Sequence, residues 1–159
     1  MPIHPTSNAA VIARIGAAFA GLSHPGDDKL LHPQCRDDMD IEAFYGGLDW
    51  RDVPADVLAR EHASLCFMSA WGFQFYLPAY MSWVLGNPED PSASVEHVLY
   101  QFDPGAPNDE LHPFQVSKYR LLTPDQVGAI VAFLEAFRHV EGRGALAEAA
   151  LARYWRGAS

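Results

Sequence analysis

Seven histidines and two cysteines are the residues here that could bind a metal or act as nucleophiles. The tightest ligand-like spacing is His32-x-x-Cys35, with His24 eight residues earlier and Asp37 and Asp38 just after. A structural zinc draws four ligands from two short-spaced pairs. One pair without a second weighs against zinc, and Cys35 reads more simply as a small buried hydrophobe. His4, His24, His32 and His112 each precede a proline, which favours extended or turn backbone at the histidine. His62 and His97 fall on predicted helices, with Glu61 and Glu96 immediately before them. Adjacent helical residues diverge by about 100°, so neither glutamate is a natural partner for its neighbour. Cys66 could pair with a histidine from anywhere in the fold. Its neighbours Phe67 and Met68 predict an apolar setting, which raises a thiol's pKa and leaves it inert. No metalloprotease His-Glu-x-x-His, serine-hydrolase elbow, phosphate-cradling loop or dinucleotide fingerprint occurs. No catalytic residue, metal ligand or cofactor is assigned on this basis.

A second kind of chemistry is non-covalent. Tyr76, Tyr80 and Trp83 form a row at helical spacing that could line a pocket for an apolar or cationic ligand, with His62 and His97 as polar companions. Aromatic rows of this kind are more often core.

These residues belong to the stretch that must organise the chain. From His62 to Pro88 there is no charged residue, yet seven of the nineteen aromatics lie there. A membrane span needs about 20 mostly apolar residues. Ser69, Gln74, Pro78 and Ser82 interrupt this run, and Trp and Tyr sit in its middle rather than at two interfaces. The better expectation is a pair of helices within residues 69–86. Ser69 caps the first, Pro78 breaks the chain and starts the second, and Gly86 stops it. Apolar residues surround the second helix, which is therefore predicted to be buried nearly all round, with Trp71, Tyr80 and Trp83 dry.

The other elements are also helical. Ser7 or Thr6 caps a helix to about Ala20, with Ile12, Ile15, Phe19 and Leu22 inward. Short helices are predicted over 38–45 and 54–62, and another ends near Gln101. Residues 103–113 read as a long acidic loop. Thr123-Pro124-Asp125-Gln126 is a capping box with proline at the first helical position. A last helix covers 145–155. No period-two alternation and no internal repeat occurs. The expected fold is all-α, one domain over 1–159, an irregular bundle of about six to eight helices.

Charge is uneven: the net of −9 gathers in residues 27–61 and 87–110, each at −6. Such a balance opposes nucleic-acid binding, which needs a basic footprint. It suits solubility or a basic partner. Asp37, Asp38, Asp40, Glu42, Asp49, Asp52 and Asp56 are the candidate partner-binding face. Two cysteines make no disulfide framework. The Ala9–Ala20 run lacks a basic lead-in and carries Arg14, so it is not read as a signal peptide and a cytoplasmic location is expected.

Three groups of residues carry a resemblance: Gly46-Gly47-Leu48-x-Trp50; Phe73-x-Phe75-Tyr76-Leu77-Pro78-Ala79-Tyr80-Met81; and Leu122-Thr123-Pro124-x-Gln126, leading to Phe133-Leu134. Over roughly residues 10 to 138 the chain resembles a group of small bacterial helical proteins known only as a domain of unknown function. The resemblance implies one helical domain and supplies no activity. The expectation is a non-catalytic module that binds a basic protein, an immunity-type protein for a cationic toxin being one instance. The alternative is a small-molecule-binding or enzymatic domain with its pocket at the hub. A monomer or a homodimer fits either.

Overall fold

The computed structural model describes residues 6–35, 41–61 and 63–158, with the backbone alone of Glu42. Ser7 opens α1 (Asn8–Ala18), its hydroxyl accepting from the amide of Ala10. Val11, Ile15 and Phe19 are buried, while Ile12 and Leu22 lie at the edge of the core. The expected stripe is thus turned by one position toward Val11. A short helix, α2 (Ile41–Tyr45), buries Ile41 and Tyr45 before Gly47 reverses the chain with φ 68°. Next come α3 (Ala55–Arg60) and the single turn α4 (Ser64–Phe67). An isolated antiparallel bridge joins Leu31 to Met68 and lays residues 30–32 beside the end of α4. Among the described residues there is no longer strand pairing.

The hub is one helix, α5 (Ala70–Gly86), not two. Ser69 caps it as expected, but Pro78 sits inside it. Proline there removes the bond to the carbonyl four residues back and costs about 3 kcal/mol or more in a free helix. Burial outweighs that cost. Twelve of the seventeen residues are buried, among them Phe73, Phe75, Leu77, Met81, Val84 and Leu85, and a fully buried side chain of this size contributes about 1.5–3 kcal/mol. The expected dryness holds for Tyr80 and only partly for Trp83. It fails for Trp71, which is 43% exposed beneath the Lys29 ammonium, 5.2 Å from the ring centre. Trp71 belongs to the first turn of α5, on the side facing water.

The chain continues through α6 (Ser94–Tyr100), α7 (His112–Ser117), α8 (Pro124–Phe137) and α9 (Gly144–Ala150), and α1, α3, α4 and α6 pack directly on the hub. The α7 turn occupies the end of the stretch expected to be a loop, with Pro113 in its first turn, where a missing N–H costs nothing. The capping box of α8 is present with both reciprocal bonds. α1 lies against both α5 and α8, and α9 against α6 and α8. After α9 the chain widens into a π turn at Leu151–Trp155 before α10 (Arg156–Ala158). The widened turn buries Leu151 and Trp155 together, and the indole donates to the carbonyl of Phe102 at 2.7 Å. One aromatic-rich core joins α1 to α9 and the π turn. No described helix is long and apolar enough to cross a membrane.

Candidate functional site

The row expected to line a pocket is engaged in holding backbone. Tyr76 and Tyr80 are fully buried. The Tyr76 hydroxyl lies 2.6 Å from the carbonyl of Tyr45 and 2.7 Å from that of Leu48, closing the turn after α2 against α5. Tyr80 donates to the carbonyl of Glu61 at 2.8 Å and makes a short hydroxyl contact with Tyr45. Burial holds all three phenols above the usual tyrosine pKa, so they stay neutral. Trp83 is half-buried on the flank of α5, and His97 is half-buried on α6 with its ring 6.4 Å from that of Tyr100. His62 lies outside the described residues.

The histidines before proline behave as expected in two cases. His24 accepts from the amide of Gly26 at 3.0 Å, and its ring meets Phe75 edge-on. His32 accepts from the amide of Gln34, and its ring packs tilted against Phe114 with centres 4.5 Å apart. His112 differs, since it opens α7 and reaches the carbonyl of Gly105 at 3.1 Å. No group of three His, Cys, Asp or Glu side chains suited to a metal occurs among the described residues.

Cys66 is not a core cysteine. It is exposed, while Cys35 is half-buried. Because α4 is a single turn, Leu65 and Met68 fill the core while Cys66 faces outward. Beside it lies a group that the pattern of charges gave no reason to single out. Lys118 is fully buried, and its Nζ donates to the carbonyls of Cys66 at 2.6 Å and Leu65 at 3.0 Å, 4.8 Å from the Phe114 ring centre. Both carbonyls belong to the single turn of α4, and that of Leu65 also accepts from the capping amide of Met68 at 3.4 Å. Burial lowers the Lys118 pKa to about 8, against the pull of the nearby Cys66 and Cys35 thiols. His32 is lowered by its own burial, then by Lys118 and Arg120. One signal in the sequence could have found Lys118: it falls four residues after Phe114 and shortly before Leu121 and Leu122, on an apolar stripe.

A third cluster gathers the acids. Arg143 is only 8% exposed, and its guanidinium grips both carboxylate oxygens of Glu96 at 3.1 and 3.2 Å. It also donates to the carbonyls of Pro88 and Asp90, each at 2.6 Å. Burial opposes ionisation of Glu96, but the Arg143 hydrogen bonds and charge, a backbone hydrogen bond and nearby His97 together hold the carboxyl below its usual pKa. An open cleft of about 390 Å³ above it is lined by Glu89, Glu96, Glu141, Gly142 and Arg143. Of the face proposed from sequence, Asp49 pairs with Arg51 at 3.1 Å and Asp56 with Arg60 at 3.0 Å, while Asp52 is exposed. Asp37, Asp38 and Asp40 lie outside the described residues, as does the Glu42 side chain.

Fold and core together define an all-helical protein built on one buried aromatic cluster. A family model, described as a family of unknown function (DUF6714), matches residues 7–159, and the chain belongs to that family. The match is wider than the resemblance legible in the motifs, for it includes α9 and the π turn. Neither the curated proteins nor the solved structures gave a match.

Proposed function

We propose that this is a non-catalytic binding module that recognises a basic protein through carboxylates left without a cation. The carrying observation is the cleft beside Arg143. Glu89, Glu96 and Glu141 converge there, and the one base among them is turned inward and taken up by Glu96 and two carbonyls. Glu89 and Glu141 have no lysine or arginine within ion-pair reach among the described residues. The same holds for the exposed Asp28, Asp52, Glu110 and Asp125. Most arginines are committed elsewhere, to Asp49, Asp56, Asp103, Glu135 and Glu148. A lysine or arginine side chain entering the cleft would meet uncompensated charge, and the wider acidic surface would steer its approach. An immunity-type protein neutralising a cationic toxin would be one such module.

The test is retention of host proteins on the immobilised chain at low and high salt, alongside the surface variant Glu89→Lys/Glu141→Lys. The expected result is a basic protein held at low salt, released at high salt and lost from the variant. Nothing retained at low salt, or equal retention by the variant, overturns the reading.

A further inference from the structure

Cys66 stands at the surface between two buried polar groups, and one of them is incomplete. Gln101 is 4% exposed, and its backbone carbonyl is pinned by Tyr119 at 2.5 Å and by Gln115 at 2.6 Å. The carboxamide Nε2 stands 3.0 Å from Cys66 Sγ and 3.3 Å from the carbonyl of His97. That second contact fixes the orientation, because an amide oxygen could not face a carbonyl. Oε1 is left buried with no hydrogen-bond partner among the described residues. Orphaned buried acceptors are costly and rare, and they call for a reason. The Cys66 sulfur accepts from Nε2, so what Oε1 lacks is a donor, and a thiol S–H is a weak one.

We propose that Cys66 is a peroxide-reactive thiol, a modification site whose sulfenic acid is the species the Gln101 carboxamide is built to hold. A thiolate at Sγ accepts from Gln101 Nε2 and is attracted by the Lys118 ammonium, which the carbonyls of Leu65 and Cys66 hold in place. Nearby cations are the setting in which cysteine becomes nucleophilic. The Sγ electron pair attacks one oxygen of a hydroperoxide and the O–O bond breaks. The departing hydroxide or alkoxide takes the proton the thiol released. Sulfur is oxidised by two electrons and the peroxide reduced to water or alcohol. The new S–O–H group carries a donor, and Gln101 Oε1 is the acceptor waiting for it. Lys118 and Gln101 act as positioning residues; the other titratable or charged groups around them are His32, Cys35 and Arg120.

The experiment treats the whole chain with hydrogen peroxide and dimedone at pH 7 and reads adducts by peptide mass spectrometry. The same reaction is run on the chain unfolded in urea, with Cys66→Ser as the blank. Cys66 in the folded chain is expected to react roughly tenfold faster than in the unfolded chain. A thiol that is merely exposed reacts no faster folded than unfolded, and that result overturns the proposal. Gln101→Leu and Lys118→Met, checked for helicity, are expected to lose the acceleration, and Lys118→Arg to recover part of it. If either loss variant folds and keeps the full acceleration, the positioning role of that residue is overturned.

Discussion

Lys118 Nζ lies 2.6 Å from the carbonyl oxygen of Cys66, so a fully buried ammonium ties the exit of α7 to the last turn of α4. An ammonium in this position is held by its hydrogen bonds and opposed by its burial.

That opposition sets a pH dependence. Lys118 titrates at about 8 in the fold and near 10.4 in an unfolded chain. Between those values the unfolded chain binds more protons, so unfolding free energy rises with pH across the window. The stability is fully present above it and is lost as pH falls toward 8, by roughly 3 kcal/mol in all. Tyr76, Tyr80 and Tyr119 act oppositely, because burial raises their phenols. Above about pH 10 the unfolded chain ionises where the fold does not, and stability falls. Urea denaturation from pH 7 to 11 should show a maximum between 9 and 10, taking those two limits together. Lys118→Met should remove the rising limb and leave the falling one.

Arg143 anchors the 88–96 segment. Replacing it with alanine strands two carbonyls and a Glu96 carboxylate that is still a third exposed to water, a loss of roughly 2–3 kcal/mol. Lysine cannot span Glu96 and both carbonyls at once, so Arg143→Lys should recover less than half the loss in thermal melts. The Glu96 carboxyl is held low, so its contribution is present above about pH 4.3 and is lost as pH falls below it. Arg143→Ala should flatten that acid limb, measurable as a smaller change in melting temperature between pH 6 and pH 3.

Much of this fold was legible because local signals and burial agreed. The type and position of Ser69 and Thr123 predict caps, and both residues cap their helices. The charge-free stretch predicts the core, and most of α5 is buried there. The errors lie where tertiary packing overrode a local rule. Pro78 should break a helix, but a proline surrounded by core can remain inside one. Cys66 has apolar neighbours, yet a single-turn helix points it to water while Leu65 and Met68 turn in. Tyr76 and Tyr80 stand out by their helical spacing, but the partners of their hydroxyls are carbonyls of Tyr45, Leu48 and Glu61, which no sequence spacing reveals. Arg143, between two glycines, carries no pattern at all.

The capping box does more than start α8. Gln126 Oε1 accepts from the Thr123 amide at 3.1 Å and from Gln74 Nε2 at 2.9 Å, joining α8 to the hub. Thr123→Ala removes one part-buried cap bond and should cost about 1 kcal/mol. Gln126→Ala leaves the Thr123 amide without its acceptor and reduces the half-buried Gln74 Nε2 to its bond with the Leu121 carbonyl at 2.8 Å, and should cost roughly 2 kcal/mol. Chemical denaturation of the two variants checks the order; equal losses would mean that the contact with Gln74 contributes nothing.

Two helical glycines should respond to alanine with opposite signs. At Gly72 a methyl would stand 2.7 Å from the Leu30 carbonyl oxygen. That oxygen cannot retreat easily, because Ser69 donates to it at 2.8 Å and His32 is bonded to Phe67 beside it. The crowding should cost roughly 1–3 kcal/mol, exceeding the gain of about 1 kcal/mol from better helix propensity. At Gly128 the nearest atom is Arg14 Nη2 at 2.8 Å, the far end of an exposed, flexible side chain. It can swing into water, so Gly128→Ala keeps up to about 1 kcal/mol of the propensity gain. Melting temperature should therefore fall for Gly72→Ala and rise for Gly128→Ala. A rise for both would show that the 30–32 segment yields to α5, and that the contact at Leu31 and Met68 is a soft one.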